Sequence, residues 1–404
     1  MATYYFRNTG DVNWGTATNW SLTDGGGATG AVPTAADDAL FTVNSGNCTV
    51  NASNRVCKTL NFTGYTNTIT MTFAITVSGN VTLSNTMTVA GTGRLQFDTN
   101  STITSNGKEW GNIRIFLNGI VLTLADDFTV NNVLFDISSS ATATINGNKF
   151  KIKGDLDYGG RSGCEINGTT TLMMVGTGSL LALASRVATS TFEVDTTGTF
   201  TINGGFINSA NVKYTAGNVT YTTTLLLAAT QSVNWTHTIT GAGIQFAGIG
   251  NTITLLNNID TNTISYGNAD GVTVTVNGFQ INCTGNLTIG RISGTLTGST
   301  IINLTGGTWS HTGVTVLGMP LVLNGNITIS GNVYYNTGTI TYTSGTVTTT
   351  GSTLIVSANT TFNVSGITWN NVAFSATNTT TLTSDLNVNG LLTISGGVTT
   401  ESGY

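Results

Sequence analysis

The acidic side chains are the first place to look for chemistry. The chain has 404 residues and only 18 Asp and Glu, among which the pairs Asp37/Asp38, Asp126/Asp127, Asp155/Asp157 and Glu193/Asp195 stand close in sequence. Two carboxylates on either side of one bond can divide acid and base work, as in glycoside hydrolysis. Asp155-x-Asp157 and Asp37-Asp38 could instead begin a Ca²⁺ site, an ion that asks for roughly six to eight oxygens, so two carboxylates are a thin start. Glu193 and Asp195 bracket Val194 in an alternating segment, which puts both on one outer face, where a solvated pair is the simpler explanation. Asp127 occupies a slot that holds Asn258, Asn326 and Asp385 elsewhere. A slot that accepts Asn or Asp is expected to serve turn geometry, because both bond their own backbone and tolerate the left-handed conformation.

Other chemistries have less to build on. Neither His237 nor His311 has a recognisable Ser or Asp partner, and no nucleophile elbow or phosphate loop occurs. Cys48, Cys57, Cys164 and Cys283 show no Cys-x-x-Cys spacing, so a zinc site is not expected. Cys48 and Cys57 could meet across neighbouring strands, but a reduced, apolar-filler role fits better without a secretion signal. Asn-x-Ser/Thr sequons such as those at Asn51, Asn167 and Asn286 follow from composition. No residue is assigned a catalytic, cofactor-binding or metal-binding role, and no cofactor is implied. Tyr214, Tyr221, Tyr266, Tyr334, Tyr335 and Tyr342 are the candidates for stacking on sugars if their rings face outward, and become core filler if they face inward.

The elements that must position these residues repeat. A phrase of apolar-x-apolar followed by small polar residues begins at Ile75, Phe128, Phe200, Ile327 and Leu386, with a degraded copy at Ile259, at intervals of 53, 72, 59, 68 and 59 residues. An apolar anchor precedes most copies by four residues (Met71, Leu124, Leu255, Leu323, Leu382), and further upstream lie the pairs Leu60/Phe62, Ile113/Ile115, Ile244/Phe246, Val314/Val316 and Val372/Phe374. Between these, strands of three to five residues alternate apolar and polar, joined by turns rich in Asn and Gly.

Composition agrees with an ordered all-β chain. Charged residues are 8%, Gly is 51 of 404 and Pro only 2, while Val, Ile, Leu and Thr alternate almost without pause. Asn-Gly between alternating runs also signals hairpins, so tandem small antiparallel β modules are the alternative. A repeat near 60 residues is short for an immunoglobulin-type module of about 100. It divides naturally into three coils of about 20 residues in a parallel β-solenoid, or β-helix. With coils about 4.8 Å apart, about 17 or 18 of them over residues 47–404 predict a rod on the order of 85 Å long. Residues 1–46, dense in aromatics (Tyr4, Tyr5, Phe6, Trp14, Trp20) and carrying Pro33, are expected to be an N-terminal capping or attachment module, and 47–404 the repeat shaft.

A net charge of -5 is too mild to suggest nucleic acid or a membrane surface as partner, and no apolar run approaches the ~20 residues that span a bilayer. The first ten residues lack a basic start and an apolar stretch, so manufacture in a cytoplasm without signal-peptide export is expected.

The opening residues carry a resemblance. Met1-Ala2-Thr3-Tyr4-Tyr5, Trp14, Ala17-Thr18-Asn19-Trp20-Ser21 and Val32-Pro33-Thr34-Ala35-Ala36-Asp37-Asp38-Ala39-Leu40-Phe41 resemble the start of β-rich virion proteins of tailed bacteriophages, of the tail-fibre or surface-adhesin kind. The looser pattern Trp…Asn-Trp…Pro…Asp-x-Ala-x-Phe is similar to the start of repeat units in bacterial autotransporter-like surface proteins. The match covers about a tenth of the chain and brings no functional residues. It implies a non-enzymatic structural protein of a virion, a fibre or surface component assembled in a host cytoplasm. Its partners would be other virion proteins, further copies of itself, trimers included, and a host surface glycan. A tailspike-like polysaccharide depolymerase and a self-assembling bacterial surface fibre are the alternatives.

Overall fold

A computed structural model describes residues 1–401 apart from 52, 116–117, 136–139, 182–184, 205, 236–238, 242, 249, 268–271, 291–293, 375–378 and 396–398. His237 therefore lies outside the described residues. Most strands are short, though some run longer than the expected three to five residues, as at Arg186–Asn203 and Ile301–His311, and apart from one three-residue 3-10 turn at Ala17–Asn19 no helix occurs among the described residues. None is long and apolar enough to cross a membrane. Contacts divide the chain into two units, Met1–Gly205 and Phe206–Tyr404, and each is a parallel β-solenoid.

In the first unit each coil contributes three strands in turn, illustrated by Thr59–Asn61, Thr68–Met71 and Ile75–Val77, before Val81–Thr82 pairs back on Thr59–Asn61. Alternation along each strand sends one side chain in two to the interior, and parallel register stacks those residues into columns. One column runs Ile75, Leu95, Ile113, Val133, Leu156, Leu180, Ile202, all buried. Past the pairings of the opening residues, partners in this unit stand 18 to 24 residues apart, from Phe97↔Ile115 to Leu156↔Leu180. The second unit repeats the scheme: Ile259, Ile281, Ile302, Leu321, Ile340 and Phe362 form one column, and Val274, Leu296, Leu317, Tyr335, Val356 and Phe374 another. The solenoid expectation, including coils near 20 residues, is met, and the hairpin alternative is not. One inward assignment is corrected. Val314 is exposed, while Thr315, Leu317 and Met319 are buried, so this copy is displaced by one residue and its faces are exchanged.

Where the chain turns from one face to the next, backbone N–H groups leave the ladder and need another acceptor. Asparagine supplies it from the preceding coil. The side-chain oxygens of Asn47, Asn100, Asn118, Asn286 and Asn359 accept from the N–H of Thr68, Val121, Thr142, Thr308 and Thr379 at 2.8–3.0 Å, each 20 to 24 residues on. Gly168 shows why small residues are needed beside these corners. It sits at φ +118° with the carbonyl oxygen of Ile145 2.0 Å from where a Cβ would be, at a register shift between coils.

The aromatic opening closes the first unit. Strand β1 (Thr3–Phe6) extends one face by pairing in parallel with β3 (Asp38–Leu40), and Asn13 bridges Thr49 on a second face. On the far side of β1, β2 (Trp20–Ser21) runs antiparallel. Under it Trp14 and Trp20 meet edge to face at 4.9 Å, Phe6 stacks on Phe41 at 5.2 Å, and Phe41 on Phe62 at 4.7 Å. The Trp20 indole donates to the Trp14 carbonyl at 2.7 Å. Cys48 and Cys57 are free and fully buried, and burial pushes both thiols up.

Within the second unit the His311 ring is held by Trp309, whose indole N–H donates to Nε2 at 3.0 Å, and by the Thr315 carbonyl, 2.8 Å from Nδ1. This fixes a neutral ring with its proton on Nδ1. Burial lowers its pKa to about 4 from 6.5, the Thr315 carbonyl opposing.

Two outcomes are expected. Trp20→Ala should cost about 3–5 kcal/mol in urea unfolding followed by far-UV circular dichroism, whereas Leu22→Ala, at a 57% exposed site, should change stability by less than about 0.5 kcal/mol. For His311 the folded pKa lies below the unfolded one, so the stabilisation is complete above pH 6.5 and is lost as pH falls to about 4. The loss should reach up to about 3 kcal/mol. In the His311→Asn variant the urea midpoint should lose most of its slope across that window, and an unchanged slope would show that other groups are responsible.

Candidate functional site on the outer face of the first unit

The predicted carboxylates are placed first. Asp37 is sealed into the cap: one oxygen accepts from the Ala2 N–H at 2.7 Å, the other from the Thr34 hydroxyl at 2.6 Å. The Thr34 bond above all holds its carboxyl below the usual range. Asp38 accepts from the Thr59 hydroxyl at 2.7 Å. Asp126 takes the N–H groups of Ser105 and Asn106 on the coil before it, at 2.7 and 2.6 Å. Asp127 takes the Lys149 N–H on the coil after it at 3.1 Å and pairs with the Lys151 ammonium at 2.8 Å. That ammonium, chiefly, lowers its pKa. The equivalent residues Asn258 and Asn326 accept from the N–H of Gln280 and Thr346 at 3.0 and 3.1 Å. The Asn/Asp slot is thus structural as expected, but through a different contact: it reaches the next coil rather than its own backbone. Glu193 and Asp195 do share an outer face, with Val194 buried between them.

Of the tyrosines, Tyr214, Tyr221, Tyr266 and Tyr335 are buried and are no sugar platforms. The hydroxyls of Tyr214 and Tyr221 bond each other, and that of Tyr335 donates to the Met319 carbonyl at 2.7 Å. Each finds an internal partner, so a coil interior this wide accepts a ring with its polar tip satisfied. Tyr334 and Tyr342 are half-buried.

A polar relief on the first unit lies elsewhere, in side chains that point outward from the column beginning at Ile75. Two rows run along it. One is Asn54, Ala74, Arg94, Asn112, Asn132, Asp155; the other is Thr76, Gln96, Arg114, Leu134, Asp157. Two depressions open between them and adjoin at Arg94, of about 270 Å³ around Phe73, Ala74, Arg94 and Arg114 and about 190 Å³ around Asn112, Asn132, Asp155 and Asp157. Six coils contribute, so the strip is about 24 Å long at about 4.8 Å per coil spacing.

A hydrogen-bonded ladder fixes its floor. Asn112 donates to the Thr92 carbonyl at 2.9 Å, Asn132 donates to the Asn112 oxygen at 2.8 Å, the Asn132 oxygen accepts from the Asp155 N–H at 2.8 Å, and Asp155 accepts from the Ser179 N–H at 2.8 Å. Arg114 donates to the Gln96 oxygen at 2.9 Å. Asp157 accepts from the Gly159 N–H at 2.8 Å. Such a strip can present amides, two guanidiniums and a ring to a ligand from a rigid base. Among the described residues no group of three or more His, Cys, Asp or Glu side chains could hold a metal ion. Asp155 and Asp157 do come together here, but each already spends an oxygen on a backbone N–H.

No family model, no curated protein and no solved structure matches this chain.

If Asp127 acts through its acceptor oxygen, Asp127→Asn should leave stability within about 0.5 kcal/mol, since an amide keeps the oxygen for the Lys149 N–H. Asp127→Ala should lose about 1 kcal/mol. Urea midpoints at pH 7 compare the two, and equal losses would remove the acceptor role.

Proposed function

We propose that this chain is a non-enzymatic structural protein whose solenoid carries a polar outer surface, and that it serves as a fibre or surface component of a tailed-phage virion. The observation behind the first part is how the carboxylates are spent. Asp126 and Asp127, the most conspicuous acidic pair, use their oxygens on backbone N–H groups and a lysine of adjoining coils. A carboxylate engaged in that way serves cohesion, because any proton it took up would cost the coil its bond. The second part rests on the resemblance of residues 1–41, whose aromatics form the closed end of the first unit. Other virion proteins and further copies of this chain are the partners that go with it, and the virion is its location.

Two measurements test the two parts separately. Purified protein incubated with host capsule or lipopolysaccharide should release no new reducing ends, and Glu193→Gln/Asp195→Asn should behave identically. Release by the native chain that the double variant abolishes would make it a depolymerase. Peptide mass spectrometry and antibody labelling of purified particles should find the chain as a stoichiometric component; particles without it would end the virion assignment.

A further inference from the structure

We propose that the outer strip of the first unit binds a carbohydrate chain bearing carboxylates, with Arg94 as the group that engages the acid. The proposal holds whichever particle or cell carries the scaffold.

Arg94 is exposed, and its guanidinium makes no hydrogen bond or ion pair among the described residues. Lys151 and Lys153 nearby are engaged with Asp127 and Glu109 at 2.8 and 2.5 Å. Register sets Arg94 opposite Asn112 and Arg114 opposite Gln96, so the two arginines stand on adjacent coils with a two-residue offset, their Cα atoms about 8 Å apart. Ala74 precedes Arg94 in its row, and a methyl there leaves the notch open beneath the fork. No carboxylate lines that notch. The acids Asp155 and Asp157 line only the adjoining depression, so the guanidiniums stand near the middle of the strip and the carboxylates at its far end.

These features select a ligand. A planar guanidinium with nothing bound matches a carboxylate bidentately, better than it matches an isolated hydroxyl. The Phe73 ring, 42% exposed at the edge of the notch, offers a flat apolar face to the C–H side of a pyranose. Asn112 and Asn132, locked to one another and to the backbone, add amide groups for hydroxyls at no cost in ordering. A strip about 24 Å long, with guanidiniums near its middle and amides beside them, fits an extended chain of sugars that sets a carboxylate on Arg94 better than a single small acid.

The full-length protein should be titrated by calorimetry with hexagalacturonate and hexamannuronate, and with maltohexaose and cellohexaose as neutral counterparts. At least one acidic hexasaccharide should bind at millimolar concentration or below, the neutral ones at least tenfold more weakly, and the affinity should fall with added salt. Arg94→Ala should weaken binding about tenfold or more. Arg94→Lys, which keeps the charge and the aliphatic stem but not the fork, should also weaken it, and circular dichroism checks that both variants remain folded. Phe73→Ala should weaken it several-fold, whereas Phe279→Ala, an exposed ring on the second unit, should not. The proposal is overturned if no acidic hexasaccharide binds, if Arg94→Ala binds as tightly as the native chain, or if the neutral hexasaccharides bind equally well. Binding of sulfated dextran with no binding of the uronates would overturn the carboxylate assignment.

Discussion

The solenoids depend on what happens at their corners. A parallel ladder satisfies backbone groups along each face, but a chain that bends two or three times per coil repeatedly takes N–H groups out of register. Leaving one unpaired and buried costs about 1–3 kcal/mol, and the cost recurs at every coil. The side-chain carbonyl of Asn, or one oxygen of Asp, reaches across one coil spacing and takes that N–H, as at Asn100, Asn118, Asn286 and Asn359. Serine and threonine hydroxyls take N–H groups across one coil in the same way at Ser384 and Thr230. A similar contact occupies some of the acids: Asp37, Asp126, Asp127 and Asp155 each hold a backbone N–H group.

Much of this was legible in the residues because the signals are local. Alternation at Ile75–Val77 or Leu287–Ile289 names the inward side chains directly, and Asn and Gly between such runs name the bends. Register between coils was not legible, because no local feature distinguishes Val314/Val316 from Thr315/Leu317; the stacking of Leu317 on Leu296 and under Tyr335 decides it. The tyrosines were ambiguous for a related reason. Tyr214 and Tyr335 share a face with the buried Val212 and Val333, yet a phenol suits a wet face as well, and the internal partners of their hydroxyls show how the rings turn in.

The polar strip escaped notice because its residues are distant in sequence and ordinary one by one. Asn54, Arg94, Asn112, Asn132 and Asp155 recur at intervals set by the coil, and a search for outward polar residues at about 20-residue spacing would have collected them. Attention to adjacent acids pointed instead at positions where adjacency in sequence means a corner, not a site. In a solenoid, chemistry assembles along the axis, from residues one coil apart, and pairs such as Asp126/Asp127 split between the coil before and the coil after.

The closed end built by Trp14, Trp20 and Phe41 also bears on the order in which the chain can fold. Later coils each add a loop of about 20 residues to a template that already exists, a short-range event despite the parallel sheet. The first has no template, and its strands must find each other across a longer gap: Thr3 meets Asp38, 35 residues on, and Asn13 meets Thr49. The aromatic cluster gathers around that one closure, where nothing else is yet in place to reward it. During synthesis this segment emerges before the coils that stack on it, so the slow closure can be complete when they wind on in the order in which they emerge.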